Sequence, residues 1–177
     1  MPAVSNTSPL IWLSKIGRIN LLKELYGEVI IPEEVYREAV ERGLEDFSDA
    51  LVIQEGIDQG WIKVSNLNEE EAEISRRMTE RAFEIHLGEA QAIQLARKIN
   101  VVLLMDESSG RALAEAWGLR VRGTLAVILR ALGEGLIDNE NAEEYVLKLV
   151  NKGFRIEPRL LARILKEING TAPRRRG

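Results

Sequence analysis

Three polar side chains stand where an α/β protein places its reactive groups, directly after short apolar runs. Asn6 follows the run at residues 3–5, and Asp106 and Glu107 follow the continuous apolar run at residues 101–105. Ligands of a parallel sheet bind outside the carboxyl ends of its strands. Carboxylate and amide oxygens suit hard cations such as Mg²⁺ and Mn²⁺. These positions therefore predict an oxygen-lined site at one edge of a sheet.

Two glutamates are predicted on helices, and each is in register with apolar residues. Glu38 stands three residues after Val35, and Glu89 shares a helical face with Ile93 and Ala96. A carboxylate directed toward the edge of a core is unfavourable unless it is paired or bound to a metal. Each glutamate also has a structural explanation. The start of a helix favours a negative charge at Glu89, and a solvated or ion-paired side chain would account for Glu38.

The absence of cysteine and the presence of one histidine, His86, narrow the chemistry. Thiolate nucleophiles, thiolate zinc sites and histidine clusters are excluded, so carboxylates and hydroxyls must do most of the work in an enzyme. A serine triad of Ser8, His86 and Asp106 is an alternative without a nucleophile-elbow pattern. An unrelated hydrolase or phosphatase could use only Asp106 as its strand-end nucleophile. Two of the candidate residues also have structural interpretations: Asn6 as a turn-forming residue and His86 as a loop or cap residue.

The composition is that of an ordinary globular chain with 177 residues, 45% hydrophobic and 29% charged, and a net charge of −4. We expect a single domain over residues 1–170 and a basic, disordered tail over residues 171–177. No apolar run approaches the roughly 18 residues of a membrane span, and no signal peptide is visible, so we expect no membrane contact and a cytoplasmic location. The acidic charge argues against a general nucleic-acid coat but allows a nuclease whose bound cations reverse the local sign.

Short apolar runs alternate with amphipathic stretches, which predicts βαβ units and a parallel sheet. Strands are predicted at residues 3–5, 29–31, 61–64, 101–105 and 119–121. Helices are predicted over residues 9–27 with a break near 17, from 32, and over 44–60, 88–99, 109–117, 124–132, 139–151 and 158–168. The glutamate- and arginine-rich residues 66–84 are predicted to form an exposed helix or an excursion from the fold. Ser8 and Thr124 are expected to cap the helices that follow them.

Five segments resemble, in the same order, the motifs of a known family. They are VSNTSPL at 4–10, IPEEVYRE at 31–38, LGEAQAI at 87–93, LLMDE at 103–107 and GTL at 123–125. Together they resemble the PIN domain, and in particular a prokaryotic PIN-related group that is related to the ribonuclease toxins of toxin–antitoxin pairs. The C-terminal Gly153-Phe154-Arg155, followed by Pro158, also suits that group. The resemblance covers nearly the whole chain and implies a three-layer α/β/α fold with a central parallel sheet.

The resemblance also implies a Mg²⁺ or Mn²⁺ site. The implied metal ligands are Asn6, Glu38, Glu89 and Asp106, with Glu107 as an additional ligand. The implied catalytic groups are Glu38, Glu89 and Asp106. The expected contacts to the cofactor or to a phosphate come from Asn6, Thr7, Ser8 and Thr124.

The activity that the resemblance implies is metal-dependent hydrolysis of RNA, most simply of single strands, with a toxin of a toxin–antitoxin pair as one form. Asn6 departs from the usual aspartate, and its amide brings no negative charge to a cation. The alternative is therefore a weakened or inactive PIN-like module that binds nucleic acid or protein. The expected partners are RNA, a small antitoxin protein and a second copy of the chain, with Leu22, Leu25 and Tyr26 as the candidate dimer surface.

Overall fold

A five-stranded parallel sheet forms the centre of the computed structural model, which describes residues 1–42, 47–81 and 84–171. The strands are β1 (Ala3–Ser5), β2 (Val29–Pro32), β3 (Ile62–Ser65), β4 (Val102–Leu104) and β5 (Val121–Arg122). Their order is β3-β2-β1-β4-β5, and every neighbouring pair is parallel. The strand order reverses between β1 and β4, so the carboxyl ends of these two strands flank the point where α/β proteins bind ligands.

Ten α-helices and one π-helical turn surround the sheet in the described ranges. The helices are α1 (Thr7–Lys15), α2 (Asn20–Tyr26), α3 (Glu33–Tyr36), α4 (Phe47–Asp58), α5 (Glu69–Arg81), α6 (Leu87–Ile99), α7 (Ser108–Ala116), α8 (Thr124–Gly133), α9 (Asn139–Asn151) and α10 (Pro158–Gly170). The π-helical turn, Arg37–Glu41, directly continues α3. Such turns inside helices are frequent at functional sites.

Two apolar clusters, one on each face of the sheet, make the fold three-layered. Ala3 and Leu104 belong to the cluster that contains residues of α1, α2, α8, α9 and α10. Val4 and Leu103 belong to the cluster formed with α5, α6 and α7. Successive side chains of a strand point to opposite faces, and both faces here are covered by helices. This explains the continuous apolar run at 101–105 and confirms the predicted α/β/α architecture.

Two predicted N-cap residues are wrong. Helix α1 begins at Thr7 rather than at Pro9, and its N-cap residue is Asn6 instead of Ser8. Helix α8 begins at Thr124, so Gly123 is its N-cap residue. The hydroxyls of Ser8 and Thr124 bond to a distant carboxylate instead, as described below. Of the helix predicted over 44–60, residues 44–46 lie outside the described residues, and α4 accounts for most of the rest.

The predicted dimer surface is also wrong. Leu22, Leu25 and Tyr26 are at most 7% exposed because α2 packs between the sheet and α8. The tail from residue 172 onward lies outside the described residues, so the predicted domain boundary stays a prediction. No helix in the described part of the chain combines the length and apolar character that a membrane span needs.

Candidate functional site

The predicted site residues come from four separate places around the carboxyl ends of β1 and β4. Asn6 directly follows β1, and Asp106 and Glu107 lie between β4 and α7. Glu38 belongs to the π-helical turn, and Glu89 is the third residue of α6. The chain therefore brings together side chains that are up to 101 residues apart.

Three consecutive residues at the start of α1 each donate a hydrogen bond to a different carboxylate. The bonds are Asn6 Nδ2 to Glu107 Oε2 at 2.7 Å, Thr7 Oγ1 to Glu38 Oε2 at 2.5 Å, and Ser8 Oγ to Asp106 Oδ2 at 3.0 Å. We call residues 6–8 the donor tripeptide. It links the acids of the π-helical turn and of the β4–α7 connection to a single helix start.

Asp106 accepts hydrogen bonds from two sides. The backbone N–H of Thr124 donates to its Oδ1 at 2.7 Å, and the Thr124 hydroxyl donates to its Oδ2 at 2.6 Å. Burial raises the pKa of Asp106, while the hydrogen bonds from Thr124 and Ser8 oppose that rise. Gly123 allows the close approach, because a Cβ there would lie 2.7 Å from Oδ1 of Asp106. The start of α8 thus holds this carboxylate in one orientation.

Glu38 packs directly on the backbone of α6. A Cβ on Gly88 would lie 2.8 Å from both carboxylate oxygens of Glu38, which is closer than such atoms approach in proteins. With Thr7 donating from the other side, the carboxylate is confined between α1 and α6. No sequence pattern singled out Gly88, although it directly precedes Glu89.

Glu89 is the most perturbed titratable group of the site. It is 6% exposed, and burial, with the negative charges of Glu107 and Glu38, raises its pKa to about 7. The backbone N–H of His86 donates to Oε2 of Glu89 at 3.4 Å and acts in the opposite direction. His86 is the N-cap residue of α6. Glu89 thus lies in the first turn of α6 and His86 caps that helix, in agreement with the structural roles considered for them. Glu89 nevertheless also belongs to the acidic cluster.

Asn6 carries an unusual acceptor. Its side chain is buried, with 3% of the residue exposed, and Oδ1 has no hydrogen-bond partner among the described residues. Its Nδ2 is committed to Glu107. A buried carbonyl oxygen without a donor in the protein is a site for an ordered water or an ion, and amide oxygens are common ligands of hard divalent cations.

The four carboxylates of the site also lack ion pairs with the described residues, although the Arg111 guanidinium lies near Asp106 beside Gly123. In the described part of the chain, none of the carboxylates of Glu38, Glu89, Asp106 and Glu107 forms an ion pair with lysine or arginine. No three acidic or histidine side chains within those ranges are grouped closely enough to hold an ion by themselves. The donor set fits a hard cation that is bound by one or two carboxylates, the Asn6 oxygen and water, as Mg²⁺ prefers.

An open cavity of about 600 Å³ gives access to part of this cluster. Ser8, Glu89, Asp106 and Glu107 line it, whereas Asn6, Thr7, Glu38 and Thr124 do not. His86 lines it too, but no hydrogen bond in the described residues joins His86 to Ser8 or Asp106. The Ser8 hydroxyl donates to Asp106 itself. The geometry lacks the base-to-nucleophile contact that a serine triad requires.

Comparisons with known proteins agree with this architecture. A solved structure of a PilT N-terminus domain protein from the hyperthermophilic archaeon Sulfolobus solfataricus is similar in fold. It aligns with a TM-score of 0.53 and 19% identity, over 75% of this chain and 94% of that chain. No curated protein matches the sequence. The family model for the PIN domain matches residues 2–170. The chain therefore belongs to the PIN domain family.

Proposed function

We propose that the protein is a metal-dependent ribonuclease that hydrolyses phosphodiester bonds of single-stranded RNA. The observation that carries the proposal is the donor tripeptide, which gathers three carboxylates that form no ion pair with a lysine or arginine of the described residues. Membership of the PIN family supports the nuclease class. Structural ion-pair networks also contain acids, but their acids are paired with bases, whereas these carboxylates form no ion pair among the described residues.

The proposed ligands of Mg²⁺ or Mn²⁺ come from Asn6, Glu38, Glu89, Asp106 and Glu107, with one or two of these carboxylates and the Asn6 oxygen holding the ion and water completing its shell. The ion would supply an activated water and charge stabilisation for the phosphate oxygens. The chain's own contribution is orientation. Ser8 and Thr124 fix Asp106 with three hydrogen bonds, and Thr7 with Gly88 fixes Glu38. No side-chain nucleophile is needed, which agrees with the lack of cysteine.

The direct test is cleavage of a labelled single-stranded RNA in Mg²⁺ and in Mn²⁺, with EDTA as the blank. Asp106→Asn and Glu89→Gln remove one negative charge each and should abolish cleavage. Glu144→Gln, on the exposed face of α9, removes the same charge away from the site and should cut like the parent. Cleavage by the two site variants at the parent's rate would show that the acids do not carry the reaction.

The second candidate function is a PIN module that binds RNA or protein without cutting, and Asn6 is the residue that favours it. Asn6→Asp separates the two, because a nuclease limited by weak metal binding should gain activity, whereas a binding module should not. A toxin role is the finer form of the nuclease proposal. It predicts growth arrest on expression and relief by a small antitoxin protein.

A further inference from the structure

The connection between α9 and α10 is fastened to the helix that carries the donor tripeptide. After α9 ends, Gly153 adopts φ +98°, and the backbone N–H of Phe154 returns to the carbonyl of Leu149 at 2.9 Å. The Phe154 ring then packs edge-on against Trp12 of α1, with 5.2 Å between ring centroids. This turn places the next residue, Arg155, at the rim of the site.

Two cavities meet at this turn. The first, of about 600 Å³, contains the acids Glu89, Asp106 and Glu107. The second, of about 370 Å³, lies between α8 and α10. Asp106, Phe154 and Arg155 line both cavities. An extended chain could therefore run from the acidic cluster past Arg155 into the second cavity.

The charges along this path are distributed unevenly. Arg155 is the only arginine or lysine among the described residues that line the first cavity. Its side chain is exposed and forms no ion pair with any described residue. The second cavity adds Arg111 and Arg163, together with Glu157 and Glu167. A polyanion that approaches the acidic cluster would be repelled by it, so the guanidinium of Arg155, which lines the same cavity as the acids and is unpaired among the described residues, is the group that could hold one of its phosphates.

We propose that Arg155 binds a backbone phosphate next to the scissile bond of the RNA substrate, with the strand continuing into the cavity between α8 and α10. The choice of RNA rests on the proposed function. Arginine suits this role because its planar guanidinium can donate two parallel hydrogen bonds to phosphate oxygens, which lysine cannot do. The unpaired state of Arg155 leaves those donors available.

Binding of a fluorescein-labelled single-stranded RNA decamer tests the proposal, measured by anisotropy in Ca²⁺ over a range of salt concentrations. The Arg155→Ala variant loses one charged phosphate contact, so it should bind the RNA roughly tenfold more weakly than the parent. It should also reduce the magnitude of the negative slope of log affinity against log salt by about 0.7. Arg155→Lys should recover part of the affinity and most of the slope.

Arg159→Ala is the matched control, since it removes the same charge from an exposed position in the first turn of α10 outside both cavities. Equal affinity and equal salt slope for Arg155→Ala and Arg159→Ala would overturn the proposal. Binding is read without cleavage, so the two hypotheses separate. A parent that binds RNA but never cuts it refutes the nuclease and leaves Arg155 to be judged by affinity. A parent that does not bind RNA refutes both.

Discussion

Replacing Asn6 with aspartate would place two carboxylates at hydrogen-bonding distance in a buried position. Nδ2 of Asn6 lies 2.7 Å from Oε2 of Glu107, and the Asn6→Asp variant has an acceptor in place of that donor. Two unit charges at this separation repel by about 6 kcal/mol at an effective dielectric constant of 20. The pair can instead bind one proton, which at pH 7 costs a carboxyl of ordinary pKa about 4 kcal/mol.

The smaller of these two values limits the loss of unfolding free energy without metal to about 4 kcal/mol at pH 7. Because the extra proton binds more readily in acid, the limit falls to about 1.5 kcal/mol at pH 5. A divalent cation should also relieve the repulsion, so Mn²⁺ should stabilise the variant more than it stabilises the parent. The parent avoids this repulsion because Glu107 is the only acid of the pair, and the neutral amide of Asn6 donates a hydrogen bond to it.

The double variant Asn6→Asp with Glu107→Gln exchanges the amide and the carboxylate without changing shape or net charge. The donor then comes from position 107, so the variant should recover most of the parent's stability in EDTA. Glu107→Gln alone removes a carboxylate and should weaken Mn²⁺ binding, which the double variant should partly restore.

Urea unfolding of the parent and the three variants, in EDTA and in Mn²⁺ at pH 7 and pH 5, measures each of these effects. The reasoning would be refuted if Asn6→Asp unfolded at the parent's urea concentration at pH 7 in EDTA. It would also be refuted if the loss of stability were as large at pH 5 as at pH 7.

Three further variants test the surroundings of the cluster. Gly88→Ala should lose about 1–3 kcal/mol of stability, because the new Cβ meets the carboxylate of Glu38 at 2.8 Å. For the same reason it should bind Mn²⁺ more weakly, which calorimetry measures. Adding Glu38→Asp to this variant should restore part of the stability. The raised pKa of Glu89, about 7, means that the folded protein loses stability as pH rises from about 4.5 to 7. Glu89→Gln should therefore exceed the parent in EDTA at pH 8, by at most roughly 3 kcal/mol, and the difference should vanish at pH 4. Thr124→Val removes the 2.6 Å hydrogen bond to Asp106 and should cost about 1–3 kcal/mol in urea unfolding.

Each of these predictions has a contrary outcome. An unchanged Mn²⁺ dissociation constant in Gly88→Ala would show that the position of Glu38 does not matter for the ion. If the stability of Glu89→Gln followed that of the parent from pH 4 to pH 8, the pKa of Glu89 would not be raised in the folded protein. A Thr124→Val variant as stable as the parent would mean that water replaces the hydroxyl at Asp106.

The sequence predicted the parts of this protein that depend on periodicity and on strand ends. The run at 101–105 identified β4 because a strand covered on both faces must be apolar on both, and Asp106 followed from the place where that run stops. The order of the motifs predicted the layered fold. These signals are local, or they belong to the whole family, and neither kind requires knowledge of which side chains touch.

What the sequence could not predict is the pairing of side chains over long distances. Local capping rules assigned the Ser8 and Thr124 hydroxyls to their own helices, but Asp106 competes for both. Leu22 and Leu25 looked like a free apolar surface because the layer that covers them, formed with α8, comes about 100 residues later. The contacts of Gly88 with Glu38 and of Phe154 with Trp12 depend in the same way on tertiary placement.

The donor tripeptide has a consequence for the order in which a ribosome makes this protein. Its three hydrogen bonds span 31, 98 and 101 residues of sequence, and the bond from Thr124 to Asp106 needs 18 more. Contacts between such distant positions form late, since a long loop must close before they contribute. A nascent chain that has not yet emerged beyond residue 124 cannot hold its acids in this arrangement, so any activity they support is withheld until synthesis is well advanced.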